Sequence, residues 1–288
     1  MQKFKMAWKY ALNQFASWKG NARIWVVLFL SGMLFFQEVW KLTQYCMING
    51  ETLYPCYLVK VFSAPGSSNE SIKLLTLMGG MLLFCDAPFY GRQKQYALMR
   101  GGCGSWWLGD VLFICCAVFL YVFWLWLFSI CMSLPCISLT DGWGSGIRLV
   151  AKNSTFAREV LYSGFRSSIV NVSNPGTAVG YVFITAWGVM TMYGLLLECV
   201  FLWTGKAYIG ILIVVFLILV DPVIMVFPYD IQEVMYHFSP TSWVSVERSS
   251  LSQGTDGVSV GHVFVSILIV CSICLMGIRY KIKRIDVQ

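Results

Sequence analysis

The stretch VLFICCAVFLYVFWLWLFSICMSL, residues 111–134, runs for 24 residues without one Asp, Glu, Lys or Arg. About 20 apolar residues, rising 1.5 Å each in a helix, cross the ~30 Å hydrocarbon core of a bilayer. Lipid offers no partner to an unpaired amide, so a segment of this kind crosses as a helix. Five further apolar blocks flank it, at 24–40, 74–89, 179–202, 207–227 and 258–278. The expected fold class is therefore all-α, a polytopic membrane protein with six transmembrane helices forming one transmembrane domain over residues 1–288. Composition agrees: 58% of residues are hydrophobic and 12% charged, against about 25% charged in soluble domains. Trp25, Trp40, Trp106, Trp107 and Trp203 fall near block ends, as in an aromatic belt.

Orientation follows from lysine and arginine. Lys3, Lys5, Lys9, Lys19 and Arg23 precede the first block. Arg92, Lys94 and Arg100 lie between blocks two and three, Lys206 between four and five, and Arg279, Lys281, Lys283 and Arg284 after the sixth. These short segments hold 13 of the 21 basic residues. The longer alternate segments hold most of the acids, among them Glu51, Glu70, Asp141, Glu159, Asp230, Glu233, Glu247 and Asp256. The positive-inside rule places the first set, and both termini, in the cytoplasm of a cell-membrane protein. Segments 135–178 and 228–257 are then extracytoplasmic. The same rule accounts for the net charge of +7, and no nucleic-acid-binding motif accompanies it. The partner that composition implies is the lipid bilayer, not nucleic acid.

Residues 1–23 read as an interfacial segment. Within 1–19, Phe4, Trp8, Leu12 and Phe15 recur at helical spacing while Lys5 and Lys9 lie off that stripe, the pattern of a helix lying on a membrane surface. The alternative is a cytoplasmic helix packed on another subunit. Most of the eleven cysteines sit inside apolar blocks, where free cysteine behaves as a small hydrophobe. A Cys46–Cys56 bridge is open on the outer side, although spacing alone cannot establish it.

Catalysis has little to stand on. The phosphate-loop pattern is absent, as is His-Glu-x-x-His, and the two histidines, His237 and His262, are not at metal-ligand spacing. The expectation is a non-enzyme with no cofactor or metal of its own. Glu198 and Asp221 lie inside blocks four and five, and a carboxylate at membrane depth is a functional candidate by default. They are candidates for polar points on a translocation path. The plainer reading is a helix break stabilised by neighbours, since Pro222 follows Asp221.

The inner connection contains Arg92, Gln93, Lys94, Tyr96, Met99 and Arg100, and Gly101-Gly102 is expected to end its helix. Such a short basic amphipathic helix suits a groove on a cytoplasmic partner, or is an ordinary positive-inside connection. After block five, Phe238-Ser239-Pro240-Thr241-Ser242-Trp243 mixes apolar and turn residues. It either re-enters the outer leaflet or forms a surface loop.

Taken with Asp86-Ala87-Pro88-Phe89-Tyr90-Gly91-Arg92-Gln93-Lys94-Gln95-Tyr96, Arg100-Gly101, Trp106-Trp107-Leu108-Gly109 and the Ser239-Pro240-x-x-Trp243 element, this arrangement resembles the type-2 exporter class of ABC transporter permeases. The resemblance implies a permease subunit that forms the translocation path and pairs with a second permease subunit, the same or a different chain. Separate ABC ATPase subunits would carry ATP and Mg. It further implies that Arg92, Gln93, Lys94, Tyr96, Met99 and Arg100 form the ATPase-coupling helix between spans two and three. The outer segment 135–177 is longer than that class leads one to expect. The competing reading is a non-transporting immunity or sensor protein that binds a peptide through its outer loops.

Overall fold

A computed structural model describes residues 2–63, 67–84, 93–139, 142–160, 167–253 and 257–285. The described residues form helices and turns, with two isolated β-bridges, Leu53 to Ile137 and Ser249 to Val258. Helix α1 covers Gln2–Trp18 and α2 covers Ala22–Asn49. The side chain of Asn21 accepts from the Arg23 N–H at 3.2 Å and starts α2. Gly50, at φ 64°, ends it in the left-handed conformation, its N–H reaching the Cys46 carbonyl. The expected block ends at residue 40, whereas the helix continues to Asn49.

Next come α3 (Tyr57–Ser63), α4 (Ser67–Leu82) and α5 (Gln93–Ser133), followed by a 3₁₀ turn at Leu134–Cys136. Helix α5 runs without a break through Gly101-Gly102, contrary to the expected helix end. Glycine tolerates helical angles at a cost of about 1 kcal/mol, and a C-terminal cap needs the left-handed conformation that neither glycine adopts here. Short helices α6 (Ser145–Lys152), α7 (Ser154–Glu159) and α8 (Ser167–Val172) lead into α9 (Pro175–Thr204) and α10 (Ala207–Ile224). The chain then forms α11 (Tyr229–Tyr236), α12 (Pro240–Trp243), α13 (Ser250–Gln253) and α14 (Val260–Ile285).

Five helical stretches among the described residues are long and apolar enough to cross a membrane: α2, Gly104–Cys136 of α5, α9, α10 and Val260–Lys283 of α14. The remaining expected block, the second, 74–89, is represented by α4. Its apolar part, Ser71–Leu82, is shorter than a span, and 85–89 lie outside the described residues.

Helix α9 is the centre of the bundle and packs on α5, α10 and α14. Small residues permit the approach: a Cβ at Gly194 would stand 2.6 Å from Ile114 Cγ2. Helix α1 lies against α5 rather than standing apart. Ala7 and Ala11 are buried there, Trp18 packs edgewise and Phe15 at a tilt on Phe113, and the Gln14 amide donates to Asp110. Phe4, Trp8 and Leu12 stay about half exposed beside the exposed Lys5 and Lys9. So Ala7, Ala11, Phe15 and Trp18 make the intramolecular contact, while Phe4, Trp8 and Leu12 of the apolar stripe are left exposed.

At the end of the bundle away from α1, Leu53 pairs with the chain after α5: its N–H donates to the Cys136 carbonyl at 2.8 Å, and its carbonyl accepts from Ser138 at 3.1 Å. Cys46 and Cys56 are both buried there and are not bridged to each other. Cys46 instead packs beneath α6, where a Cβ at Gly146 would stand 2.6 Å from its sulfur.

Candidate functional site

Asp221 lies three residues before the end of α10, and Pro222, which cannot continue the backbone ladder, follows it. Three donors converge on its buried carboxylate. Lys73 of α4 donates to Oδ2 at 2.5 Å, while Ser242 and Arg248 both donate to Oδ1. Arg248 also donates to the Ser242 hydroxyl at 3.1 Å, and its guanidinium lies 4.1 Å from the centre of the Tyr236 ring. The side chains of Asp221, Lys73 and Arg248 are 2%, 3% and 8% exposed.

Ser242 and Arg248 belong to an unusual segment. Every residue from Ser239 to Ser249 is buried, although the segment includes four serines, Thr241, Glu247 and Arg248. Its hydroxyl and backbone groups are anchored on the spans. Tyr193 of α9 exchanges a 2.8 Å hydrogen bond with Thr241, the Tyr181 hydroxyl donates to the Trp243 carbonyl at 2.8 Å, and Thr241 donates to the Leu217 carbonyl at 3.3 Å. Leu217 is seven residues from the end of α10, so the segment reaches about 10 Å inward from that end. Irregular backbone at such depth persists only where protein surrounds it. The segment closes on itself where Val258 donates to the Arg248 carbonyl at 2.8 Å and Ser250 to the Val258 carbonyl at 2.9 Å. Of the two sequence expectations for Phe238–Trp243, the re-entrant one describes the observed path.

A second buried ion pair joins α3 to α2. Lys60, 1% exposed, donates to Glu38 at 2.7 Å and lies 5.3 Å from the Tyr57 ring, which stacks edgewise on Phe35. None of Lys60, Lys73, Glu38 or Arg248 was singled out from the sequence. The signal available was cost: a lysine beside or inside an apolar run implies a buried acid elsewhere.

Glu198 is fully buried on α9, and among the described residues neither of its carboxylate oxygens has a hydrogen-bond partner. It does not join Asp221. Helices α9 and α10 are antiparallel neighbours, with Glu198 six residues from the connecting turn and Asp221 fourteen residues beyond the start of α10. At 1.5 Å per residue the two lie about 12 Å apart along the bundle. The expected pair of path carboxylates is thus two separate features.

Of the expected coupling residues, Arg92 lies outside the described residues. Gln93, Lys94, Tyr96, Met99 and Arg100 fall on the first turns of α5. Among the described residues, no group of three or more His, Cys, Asp and Glu side chains is placed to hold a metal ion.

Fold and site together define a multi-pass α-helical membrane protein with a polar segment folded back into one end of its bundle. No family model matches the chain, and neither a curated protein nor a solved structure matches it.

Proposed function

We propose that this chain is the permease subunit of an ATP-driven transporter of the type-2 ABC exporter class, residing in the plasma membrane with both termini cytoplasmic. The observation that carries the reading is helix α5. Its 41 residues extend about 61 Å at 1.5 Å per residue, twice the ~30 Å of a hydrocarbon core. The part of the basic segment on α5, Gln93, Lys94, Tyr96, Met99 and Arg100, therefore leads directly into a span and moves with it as one body. A push by an ATPase on that end is transmitted along the helix axis to the centre of the bundle.

The other elements take complementary roles. Helix α4 with the block at 74–89 is the second of six spans. Helix α1 lies at the membrane interface, its Phe4, Trp8 and Leu12 stripe in lipid. Segment Ser239–Ser249 closes the path from outside, held by Asp221, and Glu198 faces the path near its inner end. ATP and magnesium reside on the partner ATPase, and a second permease subunit completes the path. ATP binding shifts the equilibrium by favouring one arrangement of the inner helix ends, and hydrolysis releases it. This chain performs no covalent chemistry.

The reading predicts that the protein extracted in mild detergent brings with it a stoichiometric phosphate-loop ATPase, identified by mass spectrometry. It also predicts that Arg92→Glu, Lys94→Glu and Arg100→Glu together uncouple hydrolysis from transport, lowering ATP-driven transport about tenfold, the scale of a typical coupling energy. Full transport and assembly by the triple variant would remove the coupling role. Repeated recovery of this chain alone, with nucleotide present, would turn the reading toward a stand-alone binding protein.

A further inference from the structure

Glu51 lies two residues beyond the last residue of α2, and α6 lies against the loop that contains it. Between them opens a cleft of about 610 Å³ lined by Glu51, Thr52, Ser145, Arg148, Leu149 and Lys152, with Asn153 at its edge. Its walls are fixed before any ligand arrives. The Thr52 N–H donates to the Ser145 hydroxyl oxygen at 3.0 Å and the Ser145 N–H to that of Thr52 at 3.2 Å. The Gly146 N–H donates to the Thr52 carbonyl at 3.0 Å. Gly144, at φ 77°, leaves no room for a side chain: a Cβ would stand 2.6 Å from the Thr52 oxygen. Ile147 and Val150 anchor the opposite face of α6 in the core, and the Trp143 indole donates to the Ser173 carbonyl at 2.7 Å. A preorganised cleft spends little binding energy on ordering itself.

The charges are arranged by sign. Arg148 and Lys152 are one helical turn apart on α6, and Glu51 is on the facing loop. Among the described residues neither Lys152 nor Glu51 forms an ion pair, so their charges do not neutralise each other across the cleft. A ligand matching both walls carries an anionic group flanked by an ammonium. Depth identifies its source. Only Gly50 separates Glu51 from the end of the 28-residue α2, whose ~42 Å length exceeds the ~30 Å hydrocarbon core and puts the cleft at headgroup level. Leu149 contributes an apolar wall, and Ile48 and Leu139, close by in the chain, are 75% and 67% exposed, as lipid-facing residues are. A guanidinium and an ammonium one turn apart suit a phosphate headgroup through charge-assisted hydrogen bonds.

We propose that this cleft is a headgroup site for a phospholipid bearing a primary ammonium, of the phosphatidylethanolamine type. The phosphate lies against Arg148 and Lys152, and the ammonium donates to Glu51. The site needs only that the chain sit in a membrane and does not rest on the permease reading.

The test is native mass spectrometry of the full-length protein in detergent, titrated with phosphatidylethanolamine, phosphatidylglycerol or free phosphoethanolamine. The expected result is at least about tenfold tighter binding of phosphatidylethanolamine than of phosphatidylglycerol, with phosphoethanolamine alone much weaker than the lipid. Glu51→Gln is expected to abolish the preference, and Lys152→Gln to weaken both lipids; neither side chain is in the core, so both variants should fold. Equal binding of the two lipids by the unaltered protein, or an unchanged preference in Glu51→Gln, overturns the site. Binding of phosphoethanolamine as tight as that of the lipid overturns the membrane source and makes the ligand a soluble zwitterion.

Discussion

Asp221→Ala is expected to destabilise the protein by about 3–5 kcal/mol, the range for breaking a buried ion pair from one side. The carboxylate accepts from Lys73, Ser242 and Arg248 within a site where all three charged side chains are under a tenth exposed. Removing it leaves a lysine and an arginine, both cationic, close together without their shared counter-ion and out of water. The damage reaches beyond the pair, because Ser242 and Arg248 tie the re-entrant segment to α10 while Lys73 ties α4 to the same point. In thermal unfolding of the detergent-solubilised protein the midpoint should fall on the order of 10 °C, taking the 2–4 °C per kcal/mol of large domains. Substituting all three at once, as Lys73→Met, Asp221→Leu and Arg248→Met, should recover much of the loss, since apolar groups of similar volume commonly replace a buried ionic cluster without penalty. If Asp221→Ala unfolds at the temperature of the unaltered protein, the carboxylate is hydrated and the network does not hold the segment.

That cluster also marks the boundary of what the sequence reveals. Asp221 is visible because it interrupts an apolar block, and the five long apolar helices are visible because their composition is forced by lipid. Lys73 lies 148 positions away in the chain and Arg248 27 positions away, and no local pattern relates them to Asp221. Their convergence depends on α4, α10 and the returning segment meeting in space. The Ser239–Ser249 stretch was ambiguous for the same reason: serines and a proline suit an exposed turn as well as a buried one, and only the hydroxyls of Tyr181 and Tyr193 and the carbonyls around them decide. Helix α1 is a different case. Its apolar stripe reads as the face of a surface helix turned to the membrane, and Phe4, Trp8 and Leu12 stay about half exposed, while the stripe says nothing of what the other side meets. The face that meets α5 is marked by Ala7 and Ala11, one turn apart, a small-residue pattern that permits close helix contact. The continuity of the inner helix with the third block is not legible because two adjacent glycines suggest a stop, although glycine in a helix costs only about 1 kcal/mol each.

Two glycines of α5 turn that last point into a comparison. Alanine is the better helix former by about 1 kcal/mol, so Gly→Ala at either Gly104 or Gly109 gains the same intrinsic preference. Their surroundings differ. A Cβ at Gly104 meets nothing within 4 Å, and Gly104→Ala should raise stability by up to about that amount. A Cβ at Gly109 would stand 2.8 Å from Tyr10 Cβ and 2.9 Å from the Ala7 carbonyl oxygen. Both belong to the rigid part of α1, so neither can swing aside as the tip of a long side chain would. Helix α1 must move off α5, withdrawing Ala7 and Ala11 from burial and opening the packing of Phe15 and Trp18 on Phe113. Overpacking of this kind costs about 1–3 kcal/mol, enough to reverse the propensity gain, and Gly109→Val should cost more than Gly109→Ala. Opposite signs for the two alanine substitutions, read as unfolding midpoints in one detergent, are the expected result. Equal stabilisation at both positions would mean that α1 does not touch α5 at Gly109. Under the permease reading the same variant has a second consequence: α1 braces the end of α5 on which the ATPase would push, so Gly109→Val should lower transport per ATP hydrolysed even where the complex still assembles. Loss of stability without that loss of coupling would leave α1 a structural brace only.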